Sequence, residues 1–353
     1  MRLLFVYPAR VDQGSAQDIR GYAAAARALG HEIVLHSPPS SNGAFAASLA
    51  VEEADAAVFI LEWHLFLHHG GPLNLVRLLA AVPRERRVVV DCDGNYNAPL
   101  KVRGDFNHPD ATSSRQWMAA CDAVADKIVQ PTPHPLCPNV GTFFFHGYDP
   151  VWEQPLEGLA TRPFGMVYVG HSKFRWHPMR RVLKAMEPIR ERVGRIALVG
   201  HGWDTLPSWA RPMRLVSAYR TDPAYLRRLG VEFRPPCPFY EAIPWMSRAA
   251  FNPIIYRPLF DRLQFVTCRT FETPAAGTLP LFGFEETDAR QVHGPEAAEL
   301  ILGPKAAGAT DKIADVLERP DHYAAVVLAL RRRLAREHSY EVRLRQLLEI
   351  IRR

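Results

Sequence analysis

The stretch RTFETPAAGTLPLF, residues 269–282, indicates the fold of this chain most directly. It predicts a helix that Gly277 ends, followed by a buried strand at residues 279–282, because glycine commonly closes a helix. We expect Glu272 at the start of this helix, facing the crevice at the edge of an α/β sheet, where such folds bind nucleotides. The carboxylate there could bind ribose hydroxyls, or it could be a surface residue that the helix dipole favours.

Strands alternate with helices on the N-terminal side of this stretch, which is the pattern of parallel βαβ units. The pattern predicts a doubly wound α/β fold. Helices are predicted at residues 19–29 and 72–81. Strands are predicted at residues 2–7, 32–36, 56–61, 87–91, 127–130 and 141–145 of the first half, and at 165–170, 195–200, 231–233, 249–254 and 279–282 of the second.

The length of 353 residues exceeds what one hydrophobic core usually supports, so two domains are expected. A proline-punctuated stretch after Asp149 places the joint near residue 155. The last helix, after Ser339, carries an apolar stripe from Tyr340 to Ile351 that must pack on another part of the molecule.

The composition is that of a soluble globular protein, with 48% hydrophobic and 23% charged residues. The first residues hold too short an apolar run for a signal peptide, and the longest apolar stretch, residues 54–67, is too short to span a bilayer. Five widely spaced cysteines without a CxxC pair indicate neither a disulfide framework nor a zinc site. We therefore expect a cytoplasmic protein.

Arginines crowd the end of the chain, from Arg331 to Arg353, although the net charge of +6 is modest. A solvated helix surface explains them best, and the alternatives are a site for nucleic acid or for anionic lipid. We expect no nucleic-acid partner and at most peripheral membrane contact.

Two strands of the second half end in Val-Gly-His, with Gly170 and His171 in one and His201 in the other. Glycine at the carboxyl end of a parallel strand lets a ligand approach the backbone, although each histidine could also be a solvated loop residue. Lys173 and Arg175 follow the first of these strands. This basic cluster could neutralise a diphosphate.

In the first half, a turn and two carboxylates are candidates for the same binding site as the basic cluster of the second half. Gly14 and Ser15 belong to a turn before the first helix, whose backbone amides could meet phosphate or substrate. Asp91 and Asp93 follow the fourth strand in VVVDCDGNYN. A carboxylate there could accept the proton of a hydroxyl, orient a donor hydroxyl, or merely cap the turn.

His64 follows the third strand and is a candidate for the border of an acceptor pocket. His68 and His69 are close to it in the sequence. Three histidines without a fourth ligand are more typical of a loop or a helix start than of zinc binding, so no metal site is predicted.

These segments together resemble the GT-B glycosyltransferases, closest to the large family-4 type. The resemblance rests on ALGHEIVLHS (28–37), the YVG strand, ALVGHGWD (197–204) and RTFETPAAG (269–277). The RTFE element and the ending REHSYEVRLRQLL (336–348) are similar to the CgeB-like, spore-maturation-protein subgroup. The resemblance implies two Rossmann-like domains that face each other across a cleft, with the C-terminal helix crossing back to the first domain.

The resemblance implies transfer of a sugar from a nucleotide-diphosphate sugar to an acceptor hydroxyl, with retention of configuration. Cationic side chains and helix-start amides can stabilise the departing phosphate, so we expect no metal or other cofactor. The acceptor would bind to residues 1–155. Its class is left open between a glycan, a lipid-linked molecule and a small molecule. The donor would bind to residues 156–335. Residues 336–353 would form the returning helix.

Carried onto this sequence, the resemblance assigns Glu272 to the ribose hydroxyls, with Arg269 and Thr270 flanking it. Gln264 stands where the family has a second glutamate, and its neutral amide can still bind hydroxyls. Family members commonly have a histidine after the fourth strand, where this chain has Asp91 and Asp93.

Two other functions remain as alternatives at this point. A nucleotide-sugar epimerase would share the two-domain cleft but would need acid and base groups on the sugar ring and no acceptor pocket. A non-catalytic binding protein would keep the fold, with Gln264 as a mark of a degenerate donor site.

Overall fold

The computed structural model describes residues 1–7, 14–36, 51–61, 75–97, 111–156, 158–212, 214–282, 286–302 and 306–353. The strands are β1 (Arg2–Val6), β2 (Glu32–His36), β3 (Ala56–Leu61), β4 (Arg87–Asp91), β5 (Lys127–Gln130), β6 (Val140–Thr142), β7 (Phe164–Val169), β8 (Ile196–Val199), β9 (Val231–Arg234), β10 (Ala249–Ile254) and β11 (Leu279–Phe282). The helices are α1 (Gly14–Ala28), α2 (Leu75–Ala81), α3 (Ala111–Val124), α4 (Trp176–Met186), α5 (Arg190–Val193), α6 (Pro223–Arg228), α7 (Ala242–Met246), α8 (Pro258–Leu263), α9 (Cys268–Ala275), α10 (Glu286–His293), α11 (Ala306–Glu318), α12 (Pro320–Glu337) and α13 (Tyr340–Arg352).

The first six strands form one sheet in the order β2-β1-β3-β4-β5-β6. All its neighbouring strands are parallel, with Leu4 of β1 opposite both Val34 of β2 and Ala57 of β3. A parallel sheet must be covered on both faces, and β4 is accordingly buried at every residue. The strand order reverses between β1 and β3, which makes this the switch point of the sheet.

The remaining strands form a second parallel sheet in the order β11-β10-β7-β8-β9. Its order reverses between β7 and β10, so a ligand-binding crevice is expected at the carboxyl ends of these two strands. The predicted doubly wound architecture is confirmed. Most strand ends lie within a residue or two of the prediction, and the largest difference is at β6, which ends at Thr142 rather than at residue 145.

Two helices described in the first domain differ from the sequence prediction, which gave bounds only for residues 19–29 and 72–81 there. Helix α1 begins at Gly14, five residues before the predicted start, because Ala16 extends the buried face formed by Ile19 and Tyr22. Helix α3 was not predicted. Its polar first turns conceal a short apolar stripe whose Trp117 and Cys121 are buried against the sheet.

The last helix, α13, returns to the first domain, as the resemblance implied. Its stripe of Tyr340, Leu344, Leu347, Leu348 and Ile351 joins the same buried cluster as β1 and α1. The chain therefore closes its first core with its last residues. In the part of the chain that the structure describes, no helix is long and apolar enough to cross a membrane.

Two buried histidines make stability depend on pH. The Nε2 atom of His293 donates to the carbonyl oxygen of Thr270 at 3.0 Å, and burial lowers the pKa of His293 to about 4. Burial, together with the charge of Arg343, lowers the pKa of His338 to about 2. Both imidazoles are therefore neutral in the folded protein at pH 7.

We predict that the free energy of unfolding falls as the pH drops from 6.5 towards 4. The unfolded state takes up a proton near the ordinary histidine pKa of 6.5, whereas folded His293 does so only near 4. Each such histidine contributes a slope of about 1.4 kcal/mol per pH unit in this window, and the contribution is fully present above it. Urea unfolding of wild type and His293→Gln at several pH values measures the slope. Equal slopes in the two proteins would contradict the assignment.

Candidate active site

A cavity of about 400 Å³ lies between the two domains, at the carboxyl ends of both sheets. The first domain contributes residues that follow β1, β4 and β6. The second domain contributes the ends of β7 and β10, which flank its switch point, and the N-terminus of α9. The lining residues are Ser15, Cys92, Asp93, His146, Tyr168, Val169, Gly170, His171, Lys173, Phe174, Arg175, Phe239, Ile255, Tyr256, Arg257, Phe260, Phe265, Val266, Thr267, Cys268 and Arg269.

The loop between β7 and α4 presents Lys173 and Arg175 to this cavity. Between them, Phe174 has φ of 58°, in the left-handed region that residues with side chains rarely adopt. Its backbone N–H donates to the carbonyl oxygen of Ala218 at 2.6 Å, and the N–H of Arg175 donates to Ser172 at 2.8 Å. These bonds hold a tight turn that places both cations at the start of α4.

His171 lies beside these cations and is neutral. Nη1 of Arg175 lies 3.0 Å from Nδ1 and 3.4 Å from Nε2 of His171, so the guanidinium meets the edge of the ring that carries a nitrogen lone pair. Part of the ring of His171 is exposed to the cavity, and the rest of the ring is surrounded by protein. The pKa of His171 lies well below 6.5 because this surrounding protein disfavours the charged ring and because Arg175 and Lys173 repel it.

Asp93 and Arg257 form an ion pair across the two domains, with 2.6 Å between Oδ1 and Nη2. The guanidinium of Arg257 also lies over the ring of Phe260, 3.6 Å from its centre. The next residue, Gly94, has φ of +71° and packs so closely that an added Cβ would be 2.5 Å from Leu263 of the second domain. The turn after β4 is thus fixed to the opposite side of the cleft.

Asp91, a predicted catalytic candidate, does not line the cavity and has no exposed surface. Its carboxylate accepts hydrogen bonds from the backbone amides of Asn95 and Tyr96 at 3.2 and 2.8 Å and from Nε2 of Gln130 at 2.8 Å. Burial raises its pKa. Of the readings that the sequence left open, the structure selects the turn cap, and the catalytic assignment of Asp91 is corrected.

Glu272 lies in the second turn of α9 rather than at its start. Thr267 is extended and precedes the helix, so the first turn carries Arg269, and Glu272 is the fifth residue. Glu272 is only 3% exposed, is not among the residues that line the cavity, and accepts a hydrogen bond from Nη1 of Arg269. Arg269 does line the cavity, whereas Thr270 is buried with its hydroxyl 3.3 Å from that of Tyr256.

Of the remaining predicted site residues, some line the cavity and others do not. Gly14 is the first residue of α1, and Ser15 and Gly170 line the cavity. Gln264 and His201 do not. Gln264 adopts φ of 51° and donates to the carbonyl of Asp261 at 2.6 Å, which caps α8. The ring of His201 is exposed and packs edge-on against that of Trp209. His64 lies outside the described residues.

Two functional candidates were missed from the sequence. Arg257 comes three residues after β10 at the switch point, and a cation at such a strand end was a detectable signal. His146 follows β6 at the end of the first domain and gave no comparable signal. Among the described residues, no group of three or more histidine, cysteine, aspartate or glutamate side chains is arranged to hold a metal ion.

Comparison with known proteins agrees with this geometry. Residues 179–349 match the family model described as glycosyl transferase-like. An α-glucosyltransferase solved with UDP-glucose and abasic DNA aligns over 100% of this chain and 99% of its own, with a TM-score of 0.68 and 12% identity. Sucrose-phosphate synthase from Thermosynechococcus elongatus aligns over 99% and 98%, with 0.62 and 14%. HepE from Anabaena, solved with UDP and glucose, aligns over 99% and 98%, with 0.59 and 12%.

None of the curated protein sequences matches this chain. The full-length structural likenesses establish the GT-B fold. On this fold, the match of residues 179–349 to a glycosyl transferase-like family model indicates a glycosyltransferase.

We predict that Asp91→Asn lowers the free energy of unfolding by about 1–3 kcal/mol, because the amide nitrogen cannot accept the bonds that the buried carboxylate accepts. Urea denaturation measures the change. The matched control is Asp126→Asn, at a carboxylate 68% exposed in a surface pair with Arg84, where a much smaller change is expected because water screens the pair. Equal effects at the two positions would show that Asp91 is not the turn cap described above.

Proposed function

We propose that this protein transfers a sugar from a UDP-sugar to an acceptor hydroxyl, in the cavity between its domains, with retention and without a metal ion. The observation that carries the proposal is the convergence of four cationic side chains on one cavity at the switch point of the second sheet. They are Lys173, Arg175, Arg257 and Arg269. The solved relatives that hold UDP or UDP-glucose support the choice of nucleotide.

These cations suit a departing diphosphate. Burial lowers the pKa of Lys173, and the charges of Arg257 and Arg175 lower it further, so the side chains repel one another. An anion between them would relieve that repulsion. Cleavage of the bond from sugar to phosphate develops negative charge on the leaving group, and fixed cations stabilise that charge. We propose that these side chains do so in place of a metal ion.

The N-terminus of α9 adds to this field. Thr267, Cys268 and Arg269 line the cavity at the start of the helix, where backbone amides can bind an anion. Glu272 acts one turn later, where it holds the side chain of Arg269. We propose that this pair is the nucleoside anchor, with the glutamate reaching the ribose hydroxyls when Arg269 turns to the phosphate.

We further propose that the donor is held by residues 156–335 and the acceptor by residues 1–155, and that the protein belongs to the CgeB-like subgroup. The last point is supported by the segment at 336–348. The epimerase alternative is not favoured, since the matching family is one of transferases. The cluster of cations argues against a degenerate donor site at Gln264.

Calorimetric titration with UDP, GDP, ADP and TDP tests the donor site. We expect UDP to bind most tightly and Arg175→Ala to weaken binding at least tenfold, because a charge-assisted contact to phosphate is lost. The matched control is Arg192→Ala, an exposed arginine paired with Glu318, which should bind like wild type. If none of the four nucleotides binds to the wild-type protein, the proposed function is refuted.

The anchor is tested in the same titration with Glu272→Ala and Glu272→Gln. Both should weaken UDP binding, and the alanine variant more, because glutamine can still bond hydroxyls. Unchanged affinity in both variants, with unfolding curves like that of wild type, would remove Glu272 from the nucleotide site.

The stereochemical and metal predictions need product analysis. We expect proton NMR of the glycoside formed from a UDP-α-sugar to show the α-anomer, and we expect turnover to continue in excess EDTA, since the protein's own cations face the leaving group. A β-anomer would overturn retention. Activity lost in EDTA and restored by Mg²⁺ or Mn²⁺ would overturn metal independence.

A further inference from the structure

Among the described residues of the first domain, His146 is the histidine that lines the reaction cavity. It lies after β6, where the first domain ends, and it lines the cavity together with Ser15 and Asp93. The opposite wall carries the cations assigned above to the diphosphate. His146 therefore stands on the side of the cleft where the acceptor is proposed to bind.

A buried carboxylate fixes the tautomer of this imidazole. Oδ2 of Asp18, on α1, lies 2.8 Å from Nδ1 of His146, and the side chain of Asp18 is 5% exposed. The other oxygen, Oδ1, accepts from the hydroxyl of Tyr340 at 2.6 Å. An ionised carboxylate can only accept, so Nδ1 carries the proton and Nε2 is the basic nitrogen of the ring.

The C-terminal helix holds this arrangement in place. The ring of Tyr340 packs in a slot between Gly21 and Gly147, where an added Cβ on Gly147 would be 2.8 Å from the ring and one on Gly21 closer still. From the next turn of α13, Nε of Arg343 donates to the carbonyl oxygen of His146 at 3.4 Å. Helix α13 thus supports both the side chain and the backbone of the histidine.

Asp93 is less suited to take up a proton. Its carboxylate is paired with Arg257 at 2.6 Å, and a guanidinium at that distance stabilises the ionised form and weakens it as a base. His146 is instead paired with a carboxylate, which stabilises the imidazolium that forms when the ring accepts a proton.

We propose that Nε2 of His146 is the general base of the reaction and that Asp18 and Tyr340 are its positioning residues. This inference rests on the proposed function. The acceptor oxygen forms a bond to the anomeric carbon, the bond from that carbon to the phosphate oxygen breaks, and the electron pair leaves with UDP. The proton of the acceptor hydroxyl passes to Nε2 and then to solvent.

The first test compares His146→Gln, Asp18→Asn and Tyr340→Phe with wild type. The probe is UDP-glucose with water as acceptor, and the readouts are UDP release and calorimetric UDP binding. We expect His146→Gln to lower kcat at least 100-fold with UDP affinity unchanged, Asp18→Asn about tenfold or more, and Tyr340→Phe severalfold. The control is His322→Gln, at an exposed histidine paired with Glu299, which should keep wild-type turnover.

Chemical rescue separates a base from a structural role. We expect added imidazole to restore part of the UDP release by His146→Ala, provided that circular dichroism shows this variant folded, and not by Asp93→Asn. Undiminished kcat in His146→Gln would overturn the inference. The proposed function would survive that result, because its own failure is the absence of UDP binding by wild type.

Nitrogen-15 NMR of wild type supplies a readout that needs no turnover. We expect the imidazole of His146 to carry its proton on Nδ1 at neutral pH, and Asp18→Asn to abolish that preference. A proton on Nε2 in wild type would overturn the assignment, since that nitrogen could not then accept a proton from the acceptor.

Discussion

The parallel arrangement of both sheets is the constraint from which the site follows. Every strand of a parallel sheet ends on the same edge, so the residues after β1, β4 and β6 meet at one edge and those after β7 and β10 at another. Because these two edges face each other, loops far apart in the sequence form one cavity. The buried strands position the chemistry without taking part in it.

Charge is distributed unequally across this cleft. The second domain supplies most of the cationic side chains, and the first supplies Asp93 and the Asp18–His146 pair. The ion pair of Asp93 with Arg257 joins the two sides directly. An anionic ligand would compete with Asp93 for that guanidinium, so donor binding and the contact between the domains are electrostatically linked.

The C-terminal helix has two consequences that share one physical cause. Its apolar stripe completes the first core, and its first residue, Tyr340, reaches the carboxylate behind His146. The glycines at 21 and 147 make the ring fit, since a Cβ at either position would meet it. Packing of the last helix and alignment of the reactive histidine are therefore coupled, and loss of the helix would affect both stability and catalysis.

The sequence by itself determined the strands and the class of fold. Buried parallel strands need apolar runs, and these runs, ended by glycine and proline, are visible in the local sequence. It also placed Lys173 and Arg175 correctly beside a strand end, since that depends on neighbours in the chain. The direction in which a side chain points depends also on tertiary packing. Asp91 and Asp93 are two residues apart, yet one caps a buried turn and the other lines the cavity.

Only the tertiary structure decided which distant residues meet. Arg257 and Asp93 are 164 residues apart, His146 and Asp18 are 128 apart, and Tyr340 and Asp18 are 322 apart. The start of α9 likewise depended on the extended Thr267 and not on the charge of Glu272. Such contacts arise when folded elements pack, and hydrophobic periodicity, which reports the buried face of each element, carries no information about which element lies opposite.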